Sequence, residues 1–334
     1  MRLGRDMDIA NHPLYGRKRP LIVTRPLERV ALALSNTLLV GRPSLRLEGD
    51  GRAGKSKAGL LLRRMHKWRP FNLGFLRTIA GNPERHTEAY LLRDIVTGIG
   101  LRHSKNASTH DSLERLSRAI EEEAGHANAT EVVLVVDNSE HFVLQDYKNL
   151  CKLQDMFAEE IKLFFLFISQ TDAELHGPDS VEAIAPPHVN GRFFVDRHPF
   201  TGLLWTIPEK ERNKQDANDV ALAFREYDQY LRWPESDGPT YTAAFAERAY
   251  KGGYRLEQDA DRIKGEIATL CAREGLAEPR DWLMQTFEPF VFIVLTQIAG
   301  KDTEFSGLTS EQIQYALKAS AYVWYEHFRQ RVRK

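Results

Sequence analysis

The chain has 334 residues, enough for about two domains, and its 42% hydrophobic content is ample for a core. Formal net charge is zero, which excludes a global polyanion-binding signature, and two distant cysteines, Cys151 and Cys271, outside any C-x-x-C pair, exclude a disulfide framework or a cysteine zinc site. No apolar run approaches the ~18 residues of a membrane span, and the first residues lack an apolar signal core, so a cytoplasmic protein with no membrane partner is expected.

From the N-terminus, residues 1–25 read as irregular, with Asn11-His12-Pro13 and Arg19-Pro20 as breakers. Leu27 to Leu39 has the apolar spacing of a helix. Ser44-Leu45-Arg46-Leu47-Glu48 alternates apolar and polar like a short strand. It leads into Gly49-Asp50-Gly51-Arg52-Ala53-Gly54-Lys55-Ser56, which fits the Walker A pattern G-x-x-x-x-G-K-[ST] at every fixed position. Lys57 to Met65 follows as a helix. Strand, glycine loop and helix form the context in which backbone N–H groups wrap a phosphate at the positive end of a helix. Lys55 would reach the β- and γ-phosphates and the Ser56 hydroxyl would hold Mg²⁺, so ATP and Mg²⁺ are the expected cofactors.

A strand is expected over 71–76. Helices are expected over 84–99 and 111–124, the second with Asp111 as N-cap and Glu114 closing a capping box. Glu131-Val132-Val133-Leu134-Val135-Val136-Asp137 is the continuous β-branched run of a parallel strand covered on both faces. A helix over 142–160, a second buried strand over 161–169 and a fifth strand over 192–195 follow. From about Gly202 the pattern is helical. Strands alternating with helices argue for a parallel α/β sheet. The expected organisation is an irregular segment over 1–25, a nucleotide-binding core over 26–200, and a helical lid with C-terminal helices over 201–334. This outline resembles that of an AAA+ P-loop ATPase.

Asp137 ends its strand on the edge where open α/β sheets meet nucleotide, and as a Walker B aspartate it would enter the Mg²⁺ shell. Many AAA+ proteins carry Glu at the next position to polarise the attacking water. Here that position is Asn138, and an amide cannot take the proton. Glu140, two residues on, is the candidate substitute. Ser169-Gln170 ends the next strand, either as a sensor that orients the lytic water, with Ser169 the candidate, or as a plain strand-to-loop transition. Arg192, before the expected fifth strand, is a candidate arginine finger acting on nucleotide in a neighbouring subunit, with Arg197 as its rival. Arg255, after Gly252-Gly253, opens a helix against the macrodipole and corresponds to the lid arginine that touches the γ-phosphate in AAA+ proteins.

Together these residues resemble the TnsC/TniB-type regulators of transposition, including those of CRISPR-associated transposons. The similarity runs from Thr24-Arg25-Pro26-Leu27 to Arg255. It rests on the Walker A segment, on Val135 to Phe142, on Ser169-Gln170-Thr171-Asp172-Ala173-Glu174-Leu175, on Gly191-Arg192-Phe193 with Phe200-Thr201-Gly202-Leu203, and on Tyr227-Asp228 with Gly253-Tyr254-Arg255-Leu256. The resemblance implies ATP-bound subunits that form rings or filaments around duplex DNA and link a target-selecting protein to a transposase. The departure at Asn138 implies slow hydrolysis, suited to a timer. Candidate DNA contacts of the kind the family uses are Arg102, His103 and Lys105, and Lys148 with Lys152, four apart on one helix face. Solvent-facing charge explains the same residues. Two further readings stand beside this one: an AAA+ helicase loader or replication initiator, and a nucleotide-dependent scaffold with little hydrolysis.

Overall fold

The computed structural model describes residues 9–16, 20–102, 107–157, 159–171, 180–208 and 218–332. They fall into two compact units. The first comprises residues 29–51 and 55–200. The second comprises the described residues up to Glu28, the loop tip Arg52–Gly54 and the described residues from Thr201 onward.

The first unit is a five-stranded parallel sheet with helices on its faces. Its elements in chain order are α1 (Arg25–Leu39, in this unit from Arg29), β1 (Ser44–Gly49), α2 (Lys55–Arg64), β2 (Gly74–Ile79), α3 (Glu88–Gly98), α4 (Thr109–Ala127), β3 (Glu131–Asp137), α5 (Leu144–Phe157), β4 (Lys162–Gln170), α6 (Val181–Ile184), α7 (Pro187–Phe193) and β5 (Arg197–Pro199). The strand order is β2-β3-β4-β1-β5. The central strands are the two runs read as doubly covered, and every residue of β3 is buried. Phe165 and Phe167 of β4 stack with ring centroids 5.5 Å apart, and Phe193 meets both edge-on. The register sets Gly49 opposite Gln170, and Asp137 opposite both Ile168 and Ile79. The carboxyl ends of β1, β3 and β4 therefore open on one edge.

Three elements differ from the sequence reading. The edge strand β2 is shifted three residues toward the C-terminus, because Arg77 and Thr78 pair with Val135 and Val136 instead of ending the strand. Helix α4 is capped by Ser108, whose hydroxyl accepts from Asp111 N–H (3.1 Å) while Asp111 accepts from Ser108 N–H (2.9 Å). Asp111 thus stands at the third helical position, and Glu114 instead pairs with Arg118 at 2.5 Å. Residues 187–193 are helix α7, started by Pro187 at its first position, and the fifth strand begins only at Arg197. A short Phe-Phe-Val run does not separate helix from strand by its pattern.

The second unit is helical, with α8 (Asp219–Arg225), α9 (Tyr241–Phe245), α10 (Glu247–Lys251), α11 (Ala260–Arg273), α12 (Met284–Ile293), α13 (Ser310–Ala319) and α14 (Tyr322–Val332). One antiparallel ribbon pairs β6 (Leu203–Leu204) with β7 (Asp281–Trp282). Fully buried Trp282 organises its core against Trp205, Phe287, Phe290 and Tyr322. Arg329 of α14 pairs with buried Asp281, whose second oxygen accepts from Gly202 N–H at 2.6 Å. Among the described residues no helix is long and apolar enough to cross a membrane.

Candidate nucleotide site

Gly49 ends β1 against the Phe200 backbone. A Cβ built on it would lie 2.1 Å from Phe200 O, so only glycine fits this close approach. Asp50 and Gly51 begin the loop. Arg52 at φ +68° and Gly54 at φ +113° turn it with left-handed backbone on either side of Ala53. Such alternation points successive N–H groups into a concavity that suits an anion. Helix α2 then starts at Lys55.

Lys55 is 8% exposed. Its ammonium donates to Gly49 O at 2.7 Å and Asp50 O at 2.6 Å, so the loop's own carbonyls hold it. Burial pushes its pKa down to about 8, against the pull of the Glu140, Asp50 and Asp137 carboxylates. A half-desolvated cation ringed by carbonyls and carboxylates gains much from a phosphate. Ser56, next on the helix, keeps an exposed side chain.

Asp137 is buried at the end of β3. Its Oδ2 accepts from the Arg77 guanidinium at 2.7 Å and its Oδ1 from Asn138 N–H at 3.2 Å. Asn138 is exposed and has φ +59°, ψ +36°. Asn tolerates this left-handed backbone better than Glu does, which gives a local reason for the amide here. The chain then makes a single turn, Ser139–His141, tied to β4 by Ser139 Oγ donating to Ile168 O at 3.2 Å. That turn carries Glu140 to the end of β4, where its carboxylate accepts from Gln170 N–H at 3.3 Å.

Lys55, Asp50, Asp137 and Glu140 are thus brought together at the carboxyl edge, with Gln170. The Gln170 amide borders Gly51, 3.0 Å from where a Cβ there would stand. Ser169, its partner in the sequence expectation, lies on the other face of β4; its hydroxyl is buried and, among the described residues, has no hydrogen-bond partner.

The residues expected to work between subunits lie elsewhere. Arg192 is on α7, whose carbonyl at Arg192 accepts from Ser44 Oγ at 2.6 Å. That is the amino end of β1, about 17 Å of strand from the loop. Its guanidinium pairs with Asp155 at 2.8 Å and donates to Cys151 O at 3.2 Å. Arg197 pairs with Glu182. Arg255 belongs to the second unit. It does not open a long helix: it precedes one tight turn, Leu256–Asp259, before α11 begins at Ala260. Its guanidinium lies 3.6 Å over the Tyr250 ring and donates to Tyr250 O and Tyr254 O. Asp228 caps the same turn, accepting from Leu256 and Glu257 N–H at 3.0 Å each, so the distant segments 227–228 and 253–256 do meet.

Arg102 and Lys148 are exposed. Lys152 is exposed but pairs with Glu88 at 3.3 Å. His103 and Lys105 lie outside the described residues, as do 172–175 of the segment that carries the resemblance.

Two features escaped the sequence reading. Arg46 and Glu48, at the polar positions of β1, are not solvent-facing. Arg46 is buried, donating to Tyr147 Oη at 2.9 Å and Glu48 Oε1 at 3.0 Å, with its guanidinium 4.7 Å from the Phe194 ring. This network anchors the strand beneath the loop. The other feature is Arg77, whose only sequence signal is a lone charge in an otherwise uncharged strand.

The donor set fits a Mg²⁺–nucleotide: N–H groups and Lys55 for phosphate, the Ser56 hydroxyl and the Asp137 carboxylate for metal. Bound there, Mg²⁺ would neutralise charge on the transferring phosphoryl group. Among the described residues no cluster of three or more His, Cys, Asp or Glu could hold a metal.

Residues 39–175 match the model of an AAA domain. No curated protein sequence matches the chain significantly. Among solved structures, similarity is found to the Aeropyrum pernix ORC1 protein in complex with DNA, at 14% identity and a TM-score of 0.44, over 90% of this chain and 66% of that one. Cdc6p from Pyrobaculum aerophilum is similar at 12% identity and a TM-score of 0.44, over 84% and 69%. Drosophila ORC bound to DNA is similar at 14% identity and a TM-score of 0.46, over 84% and 62%. The chain thus spans just under two thirds of the first of these and of the Drosophila protein. With the sheet order and the glycine loop, the AAA-domain match gives an AAA+ P-loop NTPase fold followed by C-terminal helices.

Proposed function

We propose that this chain is an ATP-driven switch on DNA. It binds Mg²⁺–ATP at the loop Gly49–Ser56, assembles with copies of itself as a ring or filament on duplex DNA, and in that form regulates transposition by linking a target selector to a transposase. The observation that carries the ATPase reading is the convergence of Lys55, Asp137 and Glu140 on one sheet edge, with Lys55 directly following a loop that has left-handed residues. Gln170 takes the water-orienting role expected of its neighbour Ser169, because its amide borders the loop. Glu140 stands in for the missing glutamate at Asn138. Its tether to Gln170 N–H couples the two, so the base is held away from full freedom and turnover is slow. The DNA and transposition parts rest on the resemblance, supported by exposed Arg102 and Lys148 and by Asp228 clasping the turn beside Arg255.

A replication initiator or helicase loader would use the same core. A scaffold that binds ATP without hydrolysing it is favoured by one observation, the exposed amide at Asn138. Phosphate release with and without duplex DNA separates the scaffold from the switch. The switch reading expects slow release that duplex DNA changes and that Glu140→Gln abolishes. No release under any condition, with ATP bound, would leave the scaffold.

A further inference from the structure

Arg77 is the only charged residue of β2 and stands on the edge strand of the sheet. The parallel register sets it opposite Val135, so its side chain shares a face with Asp137 two residues on. The guanidinium meets Asp137 Oδ2 at 2.7 Å, and Asn138 N–H holds Oδ1. Both oxygens of the metal-side carboxylate are therefore taken by donors of this chain. The pair is unequal in burial: the Arg77 side chain is 29% exposed and that of Asp137 only 6%. Arg77 Nε is buried without a hydrogen-bond partner among the described residues, so the Asp137 contact is what fixes this guanidinium.

A cation approaching Asp137 meets a fixed positive charge at hydrogen-bond distance from the same carboxylate, and a second one on Lys55. Glu140, Asp50 and Asp137 pull on Lys55, and Arg77 holds Asp137, so the Asp137 carboxylate is shared between two cations of the chain. A divalent ion entering alone meets both of them. A nucleotide triphosphate brings negative charge with it.

We propose that Arg77 is a gatekeeper of the metal position: it competes with the divalent cation for Asp137, so that metal enters only together with nucleotide phosphates. This rests on the reading of the loop as a Mg²⁺–ATP site. Arg77 is a positioning residue here, since it acts on the metal through Asp137. The consequence is a site that discriminates metal–nucleotide from free metal, and that releases metal readily once phosphate charge is lost.

Mn²⁺ replaces Mg²⁺ as a spectroscopic probe, and its binding to the full chain is measured by electron paramagnetic resonance without nucleotide. Wild type should show no saturable Mn²⁺ site below about 1 mM. Arg77→Gln should bind Mn²⁺ at least tenfold tighter than wild type, because a like charge close to the ion is gone. Arg77→Lys should stay close to wild type, and adding Asp137→Asn to Arg77→Gln should abolish the gain. A fluorescent ATP analogue is titrated in parallel. Equal Mn²⁺ affinity in wild type and Arg77→Gln, with the analogue bound by both, overturns the gatekeeper and leaves the ATP site standing. If the variant does not fold, wild type decides: a tight nucleotide-independent Mn²⁺ site that Asp137→Asn removes overturns the proposal. Absence of analogue binding to wild type overturns the ATP site itself, and the gatekeeper with it.

Discussion

Lys55→Met separates what Lys55 does for nucleotide from what it does to the fold. The folded protein holds the Lys55 pKa at about 8, below its ordinary 10.5, because the ammonium is buried. Between those values the unfolded chain binds the proton more readily, so stability rises as pH climbs from 8 toward 10.5. Below pH 8 the full cost of the buried charge is present, roughly 3 kcal/mol at 1.36 kcal/mol per pKa unit. Methionine keeps the stem and drops the charge, and it also loses the bonds to Gly49 O and Asp50 O, each contributing about 1 kcal/mol. The net expectation is a gain of about 1 kcal/mol at pH 7, or a melting temperature about 2–4 °C higher for a unit of this size. Thermal melts of both proteins at pH 7 and pH 10, with and without Mg²⁺–ATP, check this. The variant should melt higher at pH 7, lose its advantage by pH 10, and show no shift with ATP, while wild type shifts upward. A variant that melts several degrees lower at pH 7 without nucleotide would refute the reasoning, because Lys55 would then be a net stabiliser of its loop.

Three other expectations follow from buried groups and from Arg192, the candidate finger. Arg329→Met strands the buried Asp281 carboxylate with Gly202 N–H and should cost about 3–5 kcal/mol, read by urea denaturation; Asp281→Asn added to it should recover part of the loss. His12 is buried among Trp233, Tyr241 and Phe245 and accepts from Leu14 N–H, and burial pushes its pKa down to about 4. The unfolded chain therefore takes the proton first, so stability should be full above pH 6.5 and fall by about 3 kcal/mol as pH drops to 4, a slope that His12→Leu should flatten in pH-dependent melts. Arg192→Ala should leave ATP binding unchanged in calorimetry while weakening ATP-dependent assembly in sedimentation, since Arg192 lies at the far end of β1 from its own loop; assembly equal to wild type would shift the role to Arg197.

The legible parts of this chain were those where one physical signal dominates. The run from Glu131 to Asp137 admits only a doubly covered strand, and the Walker A segment prescribes its own flanks. What failed did so where local pattern and tertiary partner disagree. Residues 192–195 look apolar enough for a strand, yet Pro187 had already started a helix that Phe193 completes in the core. Arg46 stood in the sequence only as a polar position of an alternating strand and Arg77 carried no reading at all, because only the strands and helices beside them supply Tyr147, Glu48 and Asp137 as partners. At the end of β4 the sequence expectation rested on Ser169, and it could not see that the alternation of the strand turns the Gln170 amide to Gly51 and the Ser169 hydroxyl inward.

The central claim, that nucleotide controls assembly on DNA, is tested most directly by titrating the full chain onto two fluorescent duplexes of unrelated sequence, with a non-hydrolysable ATP analogue, with ADP and with no nucleotide. The account predicts tight, cooperative binding with the analogue alone, equal on both sequences, and weakening steeply with salt by a log–log slope of about −0.9 per phosphate contact. Tight, salt-insensitive and sequence-specific binding by the protein without nucleotide would contradict it.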